Sequence, residues 1–153
     1  MQLSDCFLQL GEDGFKEVLR GVAMGKLKLF RLYDRLKTRT HLAKLNTENL
    51  RNAAPRLWAR LEEHDEEFAT DLSQCVLVSQ LDMIVPVLNF LGIPNDDGFF
   101  EKNLDPKPYL TDGWQQRVFE HFRETFPEPL LLFYINHLGL ELAAVDQPFQ
   151  PAA

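Results

Sequence analysis

LRNAAPRLWARLEEHDEEFATDLSQC, residues 50–75, decides the fold class of this chain. Leu50, Ala54, Leu57, Leu61, His64, Phe68, Leu72 and Cys75 recur at steps of three and four, which places them on one face of a helix; a half-buried strand would need steps of two. Pro55 lies inside the stretch and lacks a backbone donor, so the pattern predicts two helices, or one kinked helix, in place of a straight rod.

The same reading extends in both directions. Toward the N-terminus it predicts a short helix over 4–10 with Ser4 as its cap and a turn at 11–14. A second helix over 15–24 is ended or bent by Gly25, and a third runs from 26 to about 42. Asn46 or Thr47 caps the stretch quoted above. Toward the C-terminus, Pro86 predicts a second interruption, and Gly92 followed by Pro94 is a stop signal. Thr111 or Asp112 caps a helix over 113–126, Pro127 and Pro129 mark a tight connection, and the last long helix covers 130–145. Leucine occurs 26 times against 11 valines and isoleucines together, a bias toward helix formers over β-branched residues. The expected fold is all-α: a compact single-domain bundle of five to seven helices over 1–146, an extended tail over 147–153, and one long loop rich in Pro, Gly and Asp.

With 153 residues, 45% of them apolar and 25% charged, the chain can bury a core without disulfides or a structural metal. Disordered, collagen-like and disulfide-scaffold classes are excluded. Residues 1–14 carry Asp5, Glu12 and Asp13 and no basic residue, unlike a secretory signal. The most apolar window, 75–93, is interrupted by Ser79, Gln80, Asp82, Pro86 and Asn89, so no membrane span or membrane partner is expected. Cys6 and Cys75, with no CxxC, read as reduced thiols and point to the cytoplasm.

The net charge of -7 conceals a division along the chain. Residues 1–60 hold 12 basic against 6 acidic side chains, and residues 61–153 hold 4 against 17. On the predicted third helix Lys28, Arg31, Arg35 and Arg39 fall within an arc of about 80°. Such a stripe could grip nucleic-acid phosphates, although overall acidity favours a solvated or protein-facing role. The glycines at 21 and 25 fail as a phosphate loop, having three residues between them and Leu27 where a metal-binding hydroxyl belongs. A helix-turn-helix register around Gly25 fails as well, because it would bury Arg20, Lys26 and Arg31.

No zinc, EF-hand or nucleophile-elbow motif is present, and neither a metal nor another cofactor is expected. His137 and Glu141 share a helix face at i and i+4, and Glu63, Glu67 and Asp71 form an acidic row; a helical enzyme or metal protein would have to build its site from these groups. Arg60 and Glu63 offer a local ion pair. The most unusual segment is 92–112, 21 residues without a helical pattern, near whose far end stand Phe99, Phe100, Tyr109 and Trp114. Aromatic side chains in a polar connection either fold back into the core or form a contact surface. Phe99, Phe100 and Tyr109, with Lys28, Arg31, Arg35 and Arg39, are thus the candidate binding residues. The expected function is non-catalytic association with a protein partner or with a second copy as a homodimer; nucleic-acid binding through the basic helix is the alternative.

Overall fold

Helix formers punctuated by Gly and Pro give, among the described residues, seven helices and no strand. The computed structural model describes residues 1–23, 26, 27, 50 and 52–152. In chain order the helices are α1 (Leu3–Leu8), α2 (Gly11–Arg20), α3 (Ala54–Glu62), α4 (Glu66–Ser79), α5 (Leu81–Leu91), α6 (Trp114–Phe122) and α7 (Glu128–Ala143). The fold is all-α, and its helices group into two compact units, one drawn from Gln2–Gln80 and the other from residue 81 onward.

In the first unit α1 packs on α2, α3 and α4, α2 on α3, and α3 on α4. Phe7, Phe15, Leu19, Leu57, Leu61, Phe68 and Leu72 are fully buried there. The edge of Phe15 meets Phe7 at 5.8 Å, and its ring lies 5.4 Å from that of Trp58, so each of α1, α2 and α3 supplies one ring to the core. The stripe quoted at the outset is a core stripe with one exception. Leu50, Ala54, Leu57, Leu61, Phe68, Leu72 and Cys75 are buried, whereas His64 is exposed and left-handed at φ 55°. The reason is a corner between α3 and α4. Asp65 caps α4 by accepting the Phe68 N–H at 3.1 Å, and the residue before that cap turns outward. Pro55 occupies the first turn of α3, where no intrahelical donor is required, and the stretch divides into separate helices in place of a straight rod.

Several expected boundaries move. Ser4 is not the first cap: α1 starts at Leu3, Gln2 precedes it and donates its N–H to the Asp5 carboxylate at 2.8 Å, and Ser4 is buried inside the helix. The turn expected at 11–14 is already helical, and α2 ends at Arg20, short of residue 24. Gly25, most of the predicted third helix and the Asn46 or Thr47 cap lie outside the described residues.

In the second unit α5 packs on α6, and α6 on α7. Pro86 sits inside α5, which continues past it without the bond that a residue with an N–H would make to the Asp82 carbonyl. The helix stops where expected. Gly92, at φ 78°, lets its own N–H reach the Asn89 carbonyl and the Ile93 N–H reach that of Leu88, at 3.1 and 2.9 Å. Neither Thr111 nor Asp112 caps α6 with its side chain. Gly113 takes the cap position at φ 80°, and Arg117 ties the entry by donating to the Asp112 carbonyl and the Thr111 hydroxyl, both at 2.7 Å. The tail is not helical but is anchored: buried Asn136 on α7 accepts the Phe149 N–H at 2.6 Å, and Gln116 accepts that of Ala152 at 2.9 Å.

Candidate functional site

Loop 92–113 is built from its own polar side chains. Asn95 donates to the Asn89 side chain and to the Ile93 carbonyl, each at 3.0 Å, and accepts the Gly98 N–H at 3.0 Å. Asp96 and Phe99 exchange backbone hydrogen bonds of 2.7 and 3.0 Å, which closes a tight turn at 95–98. Gly98 adopts φ 96°, and a Cβ there would stand 3.0 Å from Leu81 and 3.3 Å from Ile84, so the turn lies directly against α5. Gly98→Ala is therefore expected to destabilise the chain by roughly 1–3 kcal/mol through backbone strain. Urea unfolding checks this, and an unchanged midpoint would show that the turn lifts away from α5 without loss.

The aromatic residues of this segment divide between core and surface. Trp114 opens α6 and is buried. Tyr109 and Phe100 are half-buried, while Phe99 is 51% exposed. Beside Phe99 lies a cleft of about 390 Å³ lined by Pro94, Asn95, Asp96, Phe100, Glu101 and Leu104. From 94 to 105 the sequence carries Asp96, Asp97, Glu101 and Asp105 against Lys102 alone, so the surroundings are strongly acidic. The other exposed large apolar residue among those described, Phe90, stacks on His121 at 4.4 Å and meets the edge of Phe122. Sequence reasoning missed it because the spacing 83–87–90 puts Phe90 in phase with buried Met83 and Val87.

Lys28, Arg31, Arg35 and Arg39 lie outside the described residues. The acidic row is interrupted: Glu63 belongs to the α3–α4 corner, Glu67 is exposed on α4, and Asp71 is buried there. Arg60 pairs with Asp65 and not with Glu63. Its Nη2 stands 2.6 Å from the carboxylate, and the guanidinium lies over Phe68 at 4.5 Å. Among the described residues no three His, Cys, Asp or Glu side chains converge as metal ligands.

Ser4 and His64 form a serine–histidine contact, Oγ to Nδ1 at 3.0 Å, that their separation in sequence conceals. A nucleophile needs a path for its electrophile, and Ser4 is fully buried with its N–H turned to Glu66 at 3.2 Å; the contact clamps α1 to the α3–α4 corner. Burial raises the thiols of Cys6 and Cys75 to about 12, which keeps both protonated at neutral pH. His137 stands 3.5 Å from Glu141, but burial lowers its imidazole to about 4, so at neutral pH a neutral ring faces the carboxylate. Burial raises the Glu141 carboxyl, an effect opposed by Lys102, and burial together with Glu141 raises the Tyr134 phenol.

No family model, no curated protein and no solved structure matches the chain. Among the described residues no single helix is long and apolar enough to cross a membrane.

Proposed function

We propose that this chain is a non-catalytic association module that binds another protein through loop 92–113. One observation carries the reading: a phenylalanine, Phe99, is 51% exposed at the end of a tight turn closed by the loop's own hydrogen bonds. Fully burying a phenylalanine is worth roughly 1.5–3 kcal/mol, and a loop already in place loses little entropy on binding. Aromatic anchors of this kind supply most of the energy of protein interfaces. The reading includes a cytoplasmic location, supported by the free thiols of Cys6 and Cys75. Unapproachable Ser4 and two protonated thiols favour association over covalent catalysis.

Photo-crosslinking tests it. With a benzophenone amino acid in place of Phe99 in the full chain, irradiation of living native cells should give a discrete adduct containing a second protein. The same group at exposed Glu12 on α2 should not give it. No adduct at 99, or the same adducts at both positions, would overturn the reading.

A further inference from the structure

We infer that the cleft beside Phe99 receives a cationic side chain, arginine or lysine, from a basic segment of the partner protein. This rests on the association reading and names the chemistry of the partner. Phe99 and Phe100 bring aromatic rings, and among the described residues Asp96 and Glu101 bring the charges on the walls of the cleft, both negative. A ring face attracts a cation through its quadrupole, and a carboxylate accepts its hydrogen bonds, so the two together select a guanidinium or ammonium over a neutral or anionic group. Asp97 and Asp105 extend the negative field along the loop, and Lys102 is the only opposing charge between 94 and 105. A neighbouring cation on the same partner segment would therefore also be attracted. With a volume of about 390 Å³ the cleft, open to solvent on one side, has room for a long side chain. It exceeds what one ammonium group needs, which suits a long side chain together with the apolar residue next to it.

Arginine is the better match of the two, because its planar guanidinium can stack on a ring while its edge meets a carboxylate. Asn95 and the Asp96–Phe99 backbone pair close the turn that carries Phe99, so this wall of the cleft is in place before anything binds.

The experiment uses the full-length chain and a fluorescein-labelled peptide alternating arginine with leucine, read by fluorescence anisotropy. The basic peptide should bind, more weakly as salt is raised, and a glutamate–leucine peptide of equal length should not. Because the whole protein is acidic, two double variants with the same change in net charge are compared. Asp96→Lys with Glu101→Lys turns two attractions into repulsions and should weaken binding at least about tenfold. Glu62→Lys with Glu63→Lys, both exposed where α3 ends and the corner begins, should weaken it less than about twofold. Circular dichroism confirms that both variants are folded, and Phe99→Ala, which leaves the charge untouched, should also weaken binding.

Equal binding of the two peptides, or equal loss in the two double variants, overturns the inference. A third probe, a peptide of this chain's own residues 26–42, tests a second copy as the occupant. If it binds and the arginine–leucine peptide does not, the external partner is overturned in favour of self-association. Failure of the peptide arms alongside a protein adduct at position 99 removes the cationic ligand alone, whereas absence of that adduct removes the association reading as well.

Discussion

Phe15→Ala is expected to remove about 3–5 kcal/mol of folding stability, the range for deleting a buried phenylalanine. Phe15 is fully buried on α2, edge-on to Phe7 at 5.8 Å and an 87° interplanar angle, with Trp58 of α3 on another side at 5.4 Å. Removing the ring takes away its transfer energy and leaves a void bordered by two other rings, each held by a different helix. Collapse into that void would require α1 and α3 to shift together, so the cavity term should persist. Domains of this size are stable by roughly 5–15 kcal/mol, so the loss removes about a fifth of the total or more and should lower the urea midpoint clearly. Urea unfolding followed by far-UV circular dichroism measures the loss, and the Trp58 near-ultraviolet signal should weaken in the same variant because the indole loses its neighbour. Phe15→Leu keeps most of the volume and should lose less than half as much. A loss under about 1 kcal/mol for Phe15→Ala would mean that the three rings are not a packed core.

The helical class and the core stripe were legible because both depend on local rules, the surplus of leucine and the three-and-four spacing of 50–75. His64 shows where such a rule stops. Periodicity continues across a corner even when the chain turns, so a residue in phase with the core can stand in water at φ 55°. Caps failed for a related reason. Ser4, Thr111 and Asp112 have capping chemistry, yet the helix start is chosen by backbone conformation. Ser4 is held inside α1 by His64, a partner 60 positions away that local rules do not reach. Arg60 chose Asp65 over Glu63 because a corner, not a continuous helix, follows it.

For the candidate site, the Gly and Pro punctuation located the loop, whose first tight turn lies at 95–98. The fates of its aromatics were not legible from composition. Trp114 and Phe99 both belong to a polar connection, and only packing makes one the opening residue of α6 and leaves the other 51% exposed. The acidity of the cleft was visible as a string of carboxylates, but the gathering of Asp96 and Glu101 beside two phenylalanines depends on how the loop folds back on itself.

A chain whose His137 is buried neutral should lose stability as the pH falls. Histidine ordinarily titrates near 6.5, and burial lowers His137 to about 4 in the folded protein. Below pH 6.5 the unfolded chain takes up a proton that the folded chain refuses until about pH 4, so protons pull the equilibrium toward unfolding across this interval. The stability is present above 6.5 and is lost as the pH falls through the folded value, by about 3 kcal/mol in total. Glu141 acts in the opposite direction. Its carboxyl is raised by burial, so the folded chain holds that proton more readily, and the stability this contributes at low pH is lost as the pH rises through its folded value. Tyr134, raised further still, remains protonated throughout this interval. The contribution of His137 is therefore isolated as a difference between the natural chain and His137→Leu, with Glu141 and Lys102 present in both. Leucine is a suitable replacement because, among the described residues, the Nδ1 of His137 has no hydrogen-bond partner to lose. Urea unfolding at a series of pH values from about 7 to about 4 should show this difference shrinking by about 3 kcal/mol in favour of the variant. A difference that stays flat would mean that His137 is solvated enough to take its proton in the folded state. In that event its 3.5 Å contact with Glu141 would become an ion pair, and Glu141→Gln, which should matter little at neutral pH while the ring is neutral, would destabilise the chain at pH values where the imidazole is charged.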